Sequence, residues 1–164
     1  MTIILKNKDT LVFDDFYFKC SIGKNGFRKS KREGDLKTPK GNFNIDCLYY
    51  RSDRIKKPVT KLKIIAIKKN MGWCNDTNNK KKYNRIIKVS KKVKHEKMYR
   101  SDHKYDLLIP IKYNFEKPIP GKGSAIFLHL TKNYRSTAGC IALSQNDFLI
   151  LLKLINRKTK IKII

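Results

Sequence analysis

Acidic residues are scarce in this chain. Asp and Glu together number 13 against 39 Lys and Arg, a formal net charge of +26 at pH 7. Such an excess disfavours cationic partners and favours polyanionic ones: nucleic acid, anionic lipid or anionic wall polymer. The Lys residues are spread along the whole chain, and Asn and Ile are abundant too. Coding bias therefore explains the same composition with nonspecific polyanion contact only. No run of about 18 apolar residues occurs, so no transmembrane helix is expected. Cysteine is limited to positions 20, 47, 74 and 140, with no Cys-x-x-Cys pair and no His at zinc-finger spacing. Neither a metal site nor a disulfide framework is expected, and Cys20, Cys47 and Cys74 read as small buried apolar residues. No zinc-finger, homeodomain or RNP-like motif is present. The first twenty residues carry Asp9, Asp14 and Asp15 and lack a long apolar segment with a small-residue cleavage site. The expectation is a cytoplasmic or leaderless protein, periplasmic if a signal is missing from this chain.

What is there suffices for one folded domain, 1–164. The chain has 164 residues, 40% of them hydrophobic, enough for a core. Short apolar runs bounded by Gly, Asn, Asp and Pro predict strands at 2–5, 11–13, 16–22, 42–50, 59–67, 85–89, 105–113, 125–130 and 160–164. Pro110 should place its strand at an edge or end it early. The segment 91–100 fits a short helix or a loop. Ser144 to Asp147 has the shape of a capping box. Phe148, Leu151, Leu152 and Ile155 follow at helical spacing, predicting a helix to about Leu154. The fold class is mainly β, a sandwich or distorted barrel, with one clear helix.

Chemistry concentrates between Gly121 and Leu143. An apolar run ends in His129, and eleven residues later Cys140 follows Gly139 and precedes a second apolar run. A thiol reacts as thiolate, so it needs a base or an imidazolium nearby. Cys140 is the expected nucleophile, with a lowered pKa, and His129 the expected base. Gly139 lets the backbone approach a bound carbonyl, and the amides of Ala138, Gly139 and Cys140 are placed to converge on an oxyanion. Ser124 lies five residues before His129, so strand alternation assigns it to the opposite face, in a structural role unless a bulge intervenes. No acid in sequence is positioned to orient His129, since Asp147 is explained by capping.

These residues resemble a known family. His129 followed by Thr137-Ala138-Gly139-Cys140-Ile141 is similar to the signature of the L,D-transpeptidase (YkuD-type) catalytic domain. Gly34 to Gly41 resembles its early Thr-Pro-x-Gly loop. Met71 to Asp76, Tyr83-Asn84, Tyr105-Asp106 and Gly123 to His129 are similar to a subgroup of short members. Two positions depart from the best-known pattern: Ala138 stands where a His precedes Gly-Cys, and Ala142 where Arg or Asn is common. The resemblance implies a cysteine peptidyltransferase acting on peptidoglycan stem peptides or muropeptides, without cofactor, with a backbone carbonyl orienting His129. Thr137, Ser136, Tyr105, Trp73, Arg85 and His103 are the candidate substrate contacts. An amidase or endopeptidase using the same Cys, and a catalytically silent polyanion-binding module, stay open as alternatives.

Overall fold

The computed structural model describes residues 1–164. Three strands open the chain: β1 (Thr2–Leu5), β2 (Thr10–Phe13) and β3 (Phe16–Ser21). One short pair follows, β4 (Phe27–Arg28) with β5 (Thr38–Pro39), and then the strands β6 (Gly41–Asn44) and β7 (Leu48–Tyr50). β8 (Ile64–Ala66), β9 (Met71–Cys74), β10 (Ile86–Lys88) and β11 (His95–Lys97) lead to β12 (Leu107–Pro110) and β13 (Phe127–Leu130). β14 (Ile141–Leu143), α1 (Gln145–Leu154) and β15 (Lys160–Ile163) complete the chain. Ten strands form one sheet, in the order β6-β15-β1-β2-β3-β14-β13-β12-β7-β8.

That order forces the sheet to curl. β6 heads the order and β7 stands ninth, yet only three residues, Ile45 to Cys47, join them. A flat sheet of 4.8 Å strand spacing cannot be spanned by three residues. The sheet bends into a half-barrel instead. Ile45 bridges Ile111, and Lys112 donates its amide to the Asn44 carbonyl at 2.8 Å. The expected single strand 42–50 is thus broken, because its two halves serve opposite ends of the sheet.

Other expectations are also corrected. Segment 91–100 contains strand β11 instead of a helix, paired with β9 in a separate three-stranded sheet. Segment 59–67 is strand only at 64–66, and Val59 is exposed. Pro110 ends β12, which is nevertheless no edge: β13 and β7 flank it. Of the four cysteines, all unpaired, Cys20 and Cys74 are buried as expected, while Cys47 is half-buried.

The helix behaves as its pattern predicts. Ser144 caps it, accepting the Asp147 amide at 3.1 Å. Phe148, Leu151, Leu152 and Ile155 are buried in a cluster of 24 hydrophobic residues inside the curl. No helix is long and apolar enough to cross a membrane.

A smaller cluster of nine residues lies on the other side of β13. Leu128 and Leu130 point into the main core, whereas Phe127 packs in the smaller cluster with Trp73, Tyr105, Ala125 and Cys140. Period-two alternation places His129 on the Phe127 side. The strand is therefore buried on both faces, and its second face carries His129.

Candidate active site

Cys140 and His129 are delivered by neighbouring parallel strands. β13 pairs with β14 in the register Leu128–Ile141 and His129–Ala142. Cys140 lies one residue before β14, and its sulfur accepts the Phe127 amide at 3.4 Å. Both side chains line one cavity of about 550 Å³. Parallel pairing explains the eleven-residue interval: the chain needs a crossover to return, here the turn 131–139.

The imidazole is oriented by the backbone. Its Nδ1 lies 2.9 Å from the Leu130 carbonyl, an arrangement that requires Nδ1 to carry the hydrogen and leaves Nε2 free to accept one. The Tyr105 ring meets it edge-on, with centroids 5.5 Å apart. The Tyr105 hydroxyl donates in turn to Glu96. Burial pushes His129 down to about 4, so the ring is neutral near pH 7.

The thiol is also neutral at rest. It donates to the Ala125 carbonyl at 3.2 Å, not to the imidazole. Burial, and next the nearby Glu96 charge, push Cys140 up to about 12. The expected lowering of its pKa is thus reversed in the free protein, because desolvation outweighs the one amide and the Lys31 charge that favour thiolate.

The Gly-Cys turn is built by contacts across the whole sequence. Thr38 donates its hydroxyl to the Gly139 carbonyl at 2.9 Å and accepts the Gly23 amide at 2.9 Å. A Cβ on Gly139 would lie 2.8 Å from the Lys37 carbonyl, and its φ is 137°, so only glycine fits. The Gly139 amide, expected to face an oxyanion, instead donates to Thr137 Oγ1 at 3.0 Å. Thr137 Oγ1 donates to the Cys140 carbonyl at 2.6 Å, so this residue folds the turn. The Ala138 and Cys140 amides have no such partner.

Of the candidate substrate contacts, Thr137, Ser136, Tyr105 and His103 line the cavity. His103 holds its Nε2 buried without a hydrogen-bond partner, and burial lowers its pKa. Trp73 and Arg85, the other two expected contacts, do not line the cavity. Trp73 is a core residue: it packs edge-on against Phe127 at 5.1 Å and donates Nε1–H to Asn84 Oδ1 at 2.8 Å. Arg85 stacks over Phe115 and donates to the Glu116 carbonyl.

Ser124 is a correction in the other direction. It lines the cavity and donates to Glu33 Oε2 at 2.7 Å. Ala125 has φ 52°, a left-handed residue that breaks the alternation on which the opposite-face assignment rested. Glu33, Glu96, Lys31 and Arg100 are further cavity residues that sequence reasoning missed. Lys31, Glu33 and Arg100 come from loops and Glu96 from β11, and no local pattern marks them. No group of three or more His, Cys, Asp or Glu side chains is arranged to hold a metal ion.

A family model described as the L,D-transpeptidase catalytic domain (YkuD) matches residues 2–163. No curated protein matches the chain.

Proposed function

The chain belongs to the L,D-transpeptidase catalytic domain family, and on that premise we propose that it is a cysteine peptidyltransferase acting on peptidoglycan stem peptides through Cys140. The observation that carries this reading is a neutral thiol and a neutral imidazole sharing one cavity, with the imidazole lone pair at Nε2 available. Cys140 Sγ attacks the carbonyl of the third, L-centred residue of a tetrapeptide stem. Its proton passes to His129 Nε2 as the carbon–sulfur bond forms, then to the departing D-alanine amine as the peptide bond breaks. The unpartnered Cys140 and Ala138 amides would stabilise the oxyanion. The thioacyl enzyme is resolved by an amine of a second stem, giving a crosslink, or by water, giving L,D-carboxypeptidase activity.

A neutral pair suits this order of events. An ion pair formed only on attack spends its electrostatic stabilisation in the transition state, where it accelerates the reaction. Basic side chains at the cavity, among them Lys104, Lys132 and Arg135, suit the carboxylates of a stem peptide.

Mass spectrometry on purified tetrapeptide muropeptides, beside Cys140→Ala, tests the proposal. Loss of one D-alanine, or dimers joined between third residues, is expected from wild type alone. Cleavage at another bond would replace the reading with an amidase or endopeptidase. No product and no Cys140 adduct would leave the polyanion-binding module as the better account.

A further inference from the structure

The Cys140 sulfur sits on the Ala125 carbonyl, so whatever holds Ala125 also holds the nucleophile. Ala125 is left-handed at φ 52°, a conformation that a residue with a Cβ adopts only when its surroundings impose it. Three successive contacts impose it. The Gly123 amide donates to the Tyr83 hydroxyl at 3.1 Å. Ser124 donates to Glu33 Oε2 at 2.7 Å. The Ala125 amide donates to Asn84 Oδ1 at 3.1 Å.

Asn84 is the centre of this clamp. It is itself left-handed, at φ 54°, which Asn tolerates better than most residues. It is only 2% exposed, and every hydrogen-bonding capacity of its amide is used. Oδ1 accepts from Ala125 and from Trp73 Nε1 at 2.8 Å. Nδ2 donates to the Tyr113 and Asn114 carbonyls at 3.1 and 2.7 Å. A planar amide gripped on four sides is a fixed reference point. It anchors Ala125 to the three-stranded sheet through Trp73 and to the 113–114 turn.

We propose that Asn84 is a positioning residue: through Ala125 it fixes the place of the Cys140 sulfur in the resting site. The catalytic consequence rests on the acyl-transfer reading above; the positioning does not. With Asn84 truncated, the Ala125 carbonyl leaves the thiol, and the sulfur loses both its place and the acceptor that favours its protonated form. Reactivity towards a small alkylating agent then rises while turnover falls, since the agent needs only a free thiolate and turnover needs a placed one.

The test labels Asn84→Gly and Asn84→Asp with iodoacetamide at pH 7 and maps all four cysteines by peptide mass. Gly keeps the left-handed backbone and removes the amide; Asp keeps an oxygen for Ala125. In Asn84→Gly, Cys140 is expected to label about fivefold faster than in wild type while Cys20 and Cys74 stay protected. In Asn84→Asp it stays within about twofold of wild type. For the stem-peptide reaction, kcat of Asn84→Gly falls about tenfold or more with KM little changed. If Asn84→Gly does not melt cooperatively, Asn84→Ser, too short to reach Ala125, is read in its place. Equal Cys140 labelling in wild type and the truncated variant, or equal labelling in Gly and Asp variants, overturns the inference. Absence of turnover in wild type counts only against the acyl-transfer reading, because labelling needs no substrate.

Discussion

The hydroxyl of Thr38 donates to the carbonyl of Gly139 at 2.9 Å, joining residues 101 positions apart. Thr38 also accepts the Gly23 amide, so one buried side chain ties the early loop, the segment after β3 and the Gly139-Cys140 turn together. Thr38→Val preserves the shape and removes both bonds. It should lower stability by about 1–3 kcal/mol, the cost of leaving buried backbone groups unpaired. Thr38→Ser should recover most of it. Denaturant titration of the three proteins checks this, and equal midpoints for Val and Ser would refute it.

Gly139→Ala places a Cβ 2.8 Å from the Lys37 carbonyl at a φ of 137°. Backbone cannot yield as a flexible side chain can. A loss of roughly 1–3 kcal/mol from the backbone conformation alone is expected, with turnover lost as the turn shifts. Thermal melting and the muropeptide assay measure the two effects separately.

Stability should depend on His129 in a defined pH window. Its folded pKa is depressed to about 4 from an ordinary 6.5, by burial. The unfolded chain then binds a proton between those values that the folded one does not, so stability falls as pH falls from 6.5 towards 4. The size is of order 3 kcal/mol. Glu96, raised by burial, acts in the opposite sense, so the contrast with a variant is the clean observable. His129→Gln should flatten the decline of melting temperature across this window. Asp102, lowered to about 2 by its Arg100 partner, acts only at more acid pH.

Tyr105→Phe keeps the ring against His129 and removes the donor to Glu96. Its kcat should stay within about tenfold of wild type, and Tyr105→Leu, which removes the edge contact, should lose more. A Phe variant as inactive as Leu would mean that the hydroxyl, not the ring, matters to turnover.

Arg85 lies outside the cavity, stacked over Phe115. Arg85→Ala should therefore leave KM within about twofold, with at most the small stability loss of an unstacked cation. A tenfold rise in KM would restore it as a substrate contact.

What the sequence alone determined was local. His129, Gly139 and Cys140 stand out because a His closing an apolar run and a Gly-Cys pair need no distant partner to be noticed. The helix 145–154 was legible for the same reason: its cap and its apolar spacing lie within one continuous stretch. Tertiary structure decided everything that depends on which distant segments meet. Trp73 proved a core residue because Phe127 and Asn84 close over it. Ser124 turned to the cavity because Ala125 is held left-handed by Asn84, a contact across 41 positions. The thiol's protonation was likewise out of reach, since desolvation is a property of the closed cavity. Sequence spacing records chemistry whose parts are neighbours in the chain. Burial, charge compensation and backbone strain arise only when the sheet curls and brings its remote loops together.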